Sequence, residues 1–224
     1  MKSMSLAVAL SWSSGKDSAW ALHLLRQTSE VEVTALFTTF NVSANRVAMH
    51  AVRRELVIAQ ADRVGLPLWA IDLPWPCSNA VYEELLASLF ARAKLNGVTA
   101  VAFGDLFLAD IRAYRERQLE PTGLRALFPV WQLPTRELAW RMIQSGVRAK
   151  ITCVDPARLD RSFCGCEFDA DFLNRLPDTV DPCGENGEFH TFVYDAPAFS
   201  RPIPVEPGEI VERDGFVFAD FVPI

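Results

Sequence analysis

The chain has no cysteine framework. Its five cysteines are odd in number and unevenly placed, which excludes a disulfide-stapled secreted scaffold and fits free thiols in a reducing, cytoplasmic setting. Cys164-Gly165-Cys166, even with Cys183 and His190, lacks the usual spacing and the clean fourth ligand of a zinc site. No apolar run approaches a membrane span, and the start MKSMSLAVALSW is too short and wrongly flanked for a signal peptide. Repeats and low-complexity stretches are absent. So is any excess of positive charge. The 22 Lys and Arg stand against 28 Asp and Glu, a net charge of −6, which argues against a broad basic nucleic-acid surface. What remains is ordinary globular composition. The 224 residues are 50% hydrophobic and 22% charged, enough for one large domain or a domain with a smaller appendix.

Along the first two thirds of the chain, strand-like and helix-like segments alternate. Residues 6–12 form a short apolar run ending in a Ser/Gly turn, the signature of a buried strand, and 16–27 carries Ala19, Leu22 and Leu25 at helical spacing. Further strands are expected at 31–40, 68–73, 99–103 and 126–132, with one more strand-like run at 149–154. Helices are expected at 50–64, 79–96, 111–119 and 135–145; Gly65, Gly97 and Gly146 stop three of them. This alternation implies a doubly wound parallel sheet. Beyond about 155, prolines, glycines and acids become frequent, and Asp214-Gly215 between 209–213 and 216–222 is a hairpin signal. The expected architecture is α/β, with a nucleotide-binding domain at 1–135 and a smaller C-terminal α+β domain at 136–224.

The first strand runs into Ser13-Ser14-Gly15-Lys16-Asp17-Ser18 and then a helix. Such a turn offers backbone N–H groups and a helix dipole to an anion, with hydroxyls from Ser13, Ser14 and Ser18. Lys16 in a first helical turn opposes the dipole unless a polyphosphate lies there. The plain alternative is a serine-capped helix start. The turn is not a Walker A loop, for Leu10 and Asp17 stand where Gly and Ser or Thr are required. It is not a G-x-G-x-x-G fingerprint either.

Two further segments carry chemistry. Phe103-Gly104-Asp105, followed by Arg112-Ala113-Tyr114-Arg115-Glu116-Arg117, lies past a strand's carboxyl end, where open α/β sheets bind ligands. Arginines there suit phosphate or carboxylate, and Asp105 suits Mg²⁺ or a ribose; a solvated helix face with Arg112 paired to Glu116 fits as well. Asp181-Pro182-Cys183-Gly184-Glu185-Asn186-Gly187-Glu188-Phe189-His190-Thr191 crowds acids and glycines before a strand. It fits an acceptor site where Glu188 or His190 moves a proton, or an acidic surface loop.

The strand–SSGKDS–helix unit resembles the SGGKDS loop of PP-loop ATP pyrophosphatases, with Ser14 in place of the second glycine. The SSGKDS, GD…RAYRE, GLRALFPVW and DPCGENGEFHTFV segments together resemble the diphthine–ammonia ligase family across nearly the whole chain, including Met49-His50, and the last segment is similar to the short bacterial-type branch. That resemblance implies a HUP, Rossmann-like nucleotide domain and amidation of a carboxylate through an acyl-adenylate, with ATP and Mg²⁺. It also implies catalytic roles for Lys16, Asp105, Arg115, Glu116, Glu185 and Glu188. Nucleotide contacts would come from Ser13, Ser14, Gly15, Lys16, Asp17, Ser18 and Gly104, with Asp17 and Asp105 as candidate metal ligands. The expected partners are a small-molecule or protein carboxylate and ammonia or an amine. Neither nucleic acid nor membrane is expected, and a homodimer is left open. Two other functions compete: a tRNA-modifying PP-loop enzyme, disfavoured by the acidic charge and the lack of a C-x-x-C pair, and a nucleotide-binding regulator without turnover.

Overall fold

The computed structural model describes residues 5–224, so the first four residues of the start read above for a leader lie outside it. Strand β1 (Leu6–Ser11) feeds the 13–18 turn and helix α1 (Lys16–Arg26). There follow β2 (Val31–Asn41), the short β3 (Arg46–Val47), α2 (Arg54–Val64), β4 (Leu68–Leu73), α3 (Asn79–Leu95), β5 (Ala100–Ala102), α4 (Ala109–Leu119) and β6 (Arg125–Leu127). The parallel strands lie in the order β4-β2-β1-β5-β6, and β3 pairs antiparallel with the overhanging end of β2. Winding therefore reverses between β1 and β5, and the carboxyl ends of that pair bound a crevice.

Period-two alternation sorts the strand side chains onto two faces. Val8, Leu10, Leu36, Ala100 and Ala102 pack with α1 and α2, whereas Ala9, Ala35, Phe37, Ile71, Val101 and Phe103 pack with α3. The sheet is thus covered on both sides, as a doubly wound fold requires.

Two expected boundaries moved for backbone reasons. The helix expected from 50 begins at Arg54, because Met49 and Ala51 hold φ of 66° and 56° in a turn closed by Ala51 N–H donating to Val47 O. The strand expected over 126–132 ends at Leu127; Pro129 has no N–H for the ladder, and Gln132 is left-handed at φ 58°.

Helix α5 (Thr135–Gln144) continues the alternation, but β7 (Arg148–Val154) joins a second sheet. With β8 (Phe189–Asp195), β9 (Val205–Arg213) and β10 (Phe216–Pro223), it forms the antiparallel order β8-β7-β10-β9. Asp214 and Gly215, both at positive φ, turn the β9–β10 hairpin. The short α6 (Ala170–Arg175) is capped by Asp169, whose carboxylate accepts from Phe172 N–H at 2.8 Å. This second module packs on the α1–α2 face, so one apolar cluster runs from Leu10 and Leu22 to Ile151 and Phe192. No helix among the described residues is long and apolar enough to cross a membrane.

Candidate active site

A cleft of about 550 Å³ opens at the β1/β5 switch point, within the size range of small-molecule sites. One wall is the 13–18 turn, which the second module holds from behind. Gln60 is fully buried; its amide donates to Ser14 O and Val193 O, and its oxygen accepts from Trp12 Nε1 at 2.8 Å. Val193 N–H also donates to Ser14 O at 3.0 Å. These bonds offset the strain of Ser14, which takes the left-handed φ of 73° that a serine resists. Ser14 Oγ itself is buried without a partner. Ser18 Oγ donates to Gly15 O at 2.9 Å and lies 3.3 Å from Ser13 Oγ.

Two glycines serve close packing. A Cβ on Gly15 would lie 3.2 Å from His50 Cε1 and Thr191 O, and one on Gly104 would lie 3.1 Å from the Asp17 and Ser18 backbone. Strand β8 and the β5 end therefore press directly on the start of α1. Thr191 Oγ1 accepts the Lys16 N–H at 3.1 Å, capping the helix from 175 residues away.

Lys16 is only 2% exposed. Its ammonium pairs with Asp17 at 2.9 Å, donates to Cys183 O, and lies over the Phe168 and Phe189 rings. Burial works against this charge, but Asp17 and the acidic groups beyond it hold the Lys16 pKa above its usual value. The lysine thus ties the turn to the second module rather than standing free.

The opposite wall holds Asp105 and Arg115, whose charged groups are 3.7 Å apart. Burial raises the Asp105 pKa despite Arg115, and Asp17 adds to the rise. Glu185 closes the site from the second module. Its Oε1 accepts from Leu106 N–H at 2.7 Å and Phe107 N–H at 3.4 Å. Burial, with Asp17 and Asp105 nearby, pushes it up to about 7 against those donors. Asp181 shapes the loop beneath, its carboxylate accepting from Cys183 and Glu185 N–H.

Ser13, Lys16, Asp17, Ser18, Gly104, Asp105, Arg115 and Glu185 therefore line one cleft, while four expected residues do not. Ser14 and Gly15 are buried within the turn, against the second module. Glu116 lies on the outer side of α4, half-exposed and paired with Arg112 at 2.9 Å. Glu188 is buried behind the loop; its Oε1 accepts from Asp181 N–H and Asn186 Nδ2, and its Oε2 has no partner. Glu188 precedes β8, and its carboxylate is turned back onto the loop by Asp181 N–H and Asn186 Nδ2, whereas His190, within the strand, reaches the cleft. Sequence reasoning missed Gln60 and the Thr191 cap, whose roles depend on distant contacts. It also missed the ring of His50, set by a turn that looked helical.

Both walls match one family. The model for the diphthamide synthase N-terminal domain covers residues 5–126, and that for the diphthamide synthase C-terminal domain covers 135–219. Proteins named diphthine–ammonia ligase are also similar. The Bos taurus protein is 30% identical over 149 residues, covering 64% of this chain and 55% of its own length. The Homo sapiens protein is 27% identical over 157 residues, with the same coverage. The Danio rerio protein is 28% identical over 178 residues, covering 71% and 68%. The chain thus spans about half the length of the mammalian relatives it matches. With the turn and Asp105 inside the first matched domain and the 181–191 segment inside the second, the chain belongs to the diphthine–ammonia ligase family.

Proposed function

We propose that this chain is an ATP-dependent amide ligase that splits ATP at the α-phosphate. A carboxylate attacks the α-phosphorus, pyrophosphate leaves, and ammonia or an amine displaces AMP from the acyl-adenylate. The observation that carries this reading is the meeting of the 13–18 turn, Asp105 with Arg115, and Cys183-Gly184-Glu185 in one cleft at the switch point. The names of the relatives speak of diphthine and ammonia; for this chain the acceptor is proposed as a small-molecule or protein carboxylate.

The turn and Gly104 would hold the phosphates, and Arg115 would orient an anionic oxygen. Asp17 Oδ1 and Asp105 Oδ2 are buried without hydrogen-bond partners, which suits Mg²⁺, an ion that takes one or two carboxylates together with substrate phosphates and water. Among the described residues no larger metal-holding cluster occurs, and such a site needs none. When bound, the ion would neutralise phosphate charge. Glu185, held by two backbone N–H groups, is the acid placed to take a proton from the entering amine. Residues 136–224 would bind the acceptor and exclude water from an adenylate that hydrolyses readily.

The test is a screen of carboxylates and cell extracts with ATP, Mg²⁺ and ammonium. Acceptor-dependent release of pyrophosphate with matching AMP is expected, and ADP with phosphate would reject the proposal.

A further inference from the structure

The cleft carries little free positive charge for a site that would hold a polyphosphate. Its lining contains two permanent cations among the described residues, and each already faces a carboxylate: Lys16 meets Asp17 at 2.9 Å and Arg115 meets Asp105 at 3.7 Å. Glu185 makes a third acid against those two cations.

The remaining bases in the lining are His50 and His190. Their rings stack with centroids 4.4 Å apart and planes 28° from parallel, one ring from each module. The pair lies on the phosphate turn, since His50 Cε1 would touch a Cβ on Gly15 at 3.2 Å. His190 directly precedes Thr191, whose hydroxyl caps Lys16.

We propose that the His50–His190 pair takes up one proton from solvent when a nucleotide polyphosphate occupies the 13–18 turn, and that the imidazolium so formed is an additional cation of that site. This rests on the nucleotide reading above. In the free chain both rings are neutral near neutral pH. Burial, the neighbouring His190 ring and Lys16 hold His50 well below its usual value. Burial and Lys16 hold His190 at about 4, against the pull of Glu188. A polyanion beside Gly15 reverses the sign of the local field and favours the charged ring. Two stacked imidazoliums would repel each other, so the pair accepts one proton and titrates as a unit. No bond of the nucleotide changes in this step.

The chain has three histidines, which makes histidine side-chain NMR of the whole labelled chain a direct readout. The third, His23, lies against Trp20 with ring centroids 4.6 Å apart, outside the cleft, and serves as an internal control. The probe is the α,β-methylene analogue of ATP with saturating Mg²⁺, which cannot be split at the α-phosphate. On binding at about pH 7, the ring nitrogens of the pair should move from the neutral to the imidazolium pattern while His23 does not. Affinity should rise roughly three- to tenfold per unit of falling pH between about 7.5 and 6. His50→Gln and His190→Gln should flatten that slope, leaving only the share that Glu185 supplies. Binding with both rings still neutral overturns the inference and leaves the nucleotide reading standing. No binding at any pH overturns both.

Discussion

Lys16 illustrates how one side chain can serve two modules. Its ammonium satisfies Cys183 O and Asp17 under two aromatic rings, so truncation leaves a carbonyl and a carboxylate without their cation. Lys16→Ala should therefore lower unfolding stability by about 2–3 kcal/mol, at or just below the low end of the range for breaking a buried pair, because Asp17 keeps some contact with solvent. Chemical denaturation checks this. Glu185 gives a prediction in pH. Its folded value of about 7 lies above the ordinary carboxylate value. Its contribution to stability is therefore fully present below about pH 4.5 and is lost as pH rises through about 7. Glu185→Gln keeps an oxygen for Leu106 and Phe107 N–H and cannot ionise. It should be more stable than the parent by about 1–2 kcal/mol above pH 7, after allowance for partial exposure, with no difference at pH 4. Under the proposed function the same variant should cut amide formation by roughly 10²–10⁴ while nucleotide affinity below about pH 7 changes little. Melting curves across pH and product assays test the two halves separately.

At the level of elements, the 181–188 loop is the part most constrained by backbone geometry. Gly184 has φ of 70°, and a Cβ there would lie 2.7 Å from Phe189 O; Gly187 has φ of 87° but open space around it. Gly184→Ala should displace the loop and cost about 2 kcal/mol or more, whereas Gly187→Ala should cost only about 1 kcal/mol, the strain of the left-handed conformation alone. Thermal denaturation of the two variants separates steric conflict from strain. Such constraints mark where local sequence stops informing. Strand β4 was legible to the residue because Leu68–Leu73, apolar but for Asp72, is bounded by proline and turn signals. The hairpin at Asp214-Gly215 was legible for similar reasons. The turn at 48–52 was not, since left-handed Met49 and Ala51 are held by contacts rather than by residue type. Helix α6 was too short for periodicity to reveal.

At the level of the whole molecule, the site is a seam. The sequence made the phosphate turn, Asp105 and the 181–191 segment legible as separate motifs, because each follows or precedes a strand with unusual turn chemistry. Their mutual placement depends on Gln60, on Thr191 capping α1 and on Gly104 packing against Asp17. None of these has a short-range signature. The same seam separates Glu185 from Glu188: acids three residues apart in a loop look equivalent in sequence, but Glu185 reaches the cleft while Glu188 is buried against Asp181 and Asn186. If the seam shelters an acyl-adenylate, its formation should be reversible before the amine arrives. The most direct measurement is exchange of labelled pyrophosphate into ATP with an acceptor-containing fraction and no ammonium. Acceptor-dependent exchange, lost in Lys16→Ala, is the predicted result. ATP turnover to ADP and phosphate under those conditions, without exchange, would contradict cleavage at the α-phosphate.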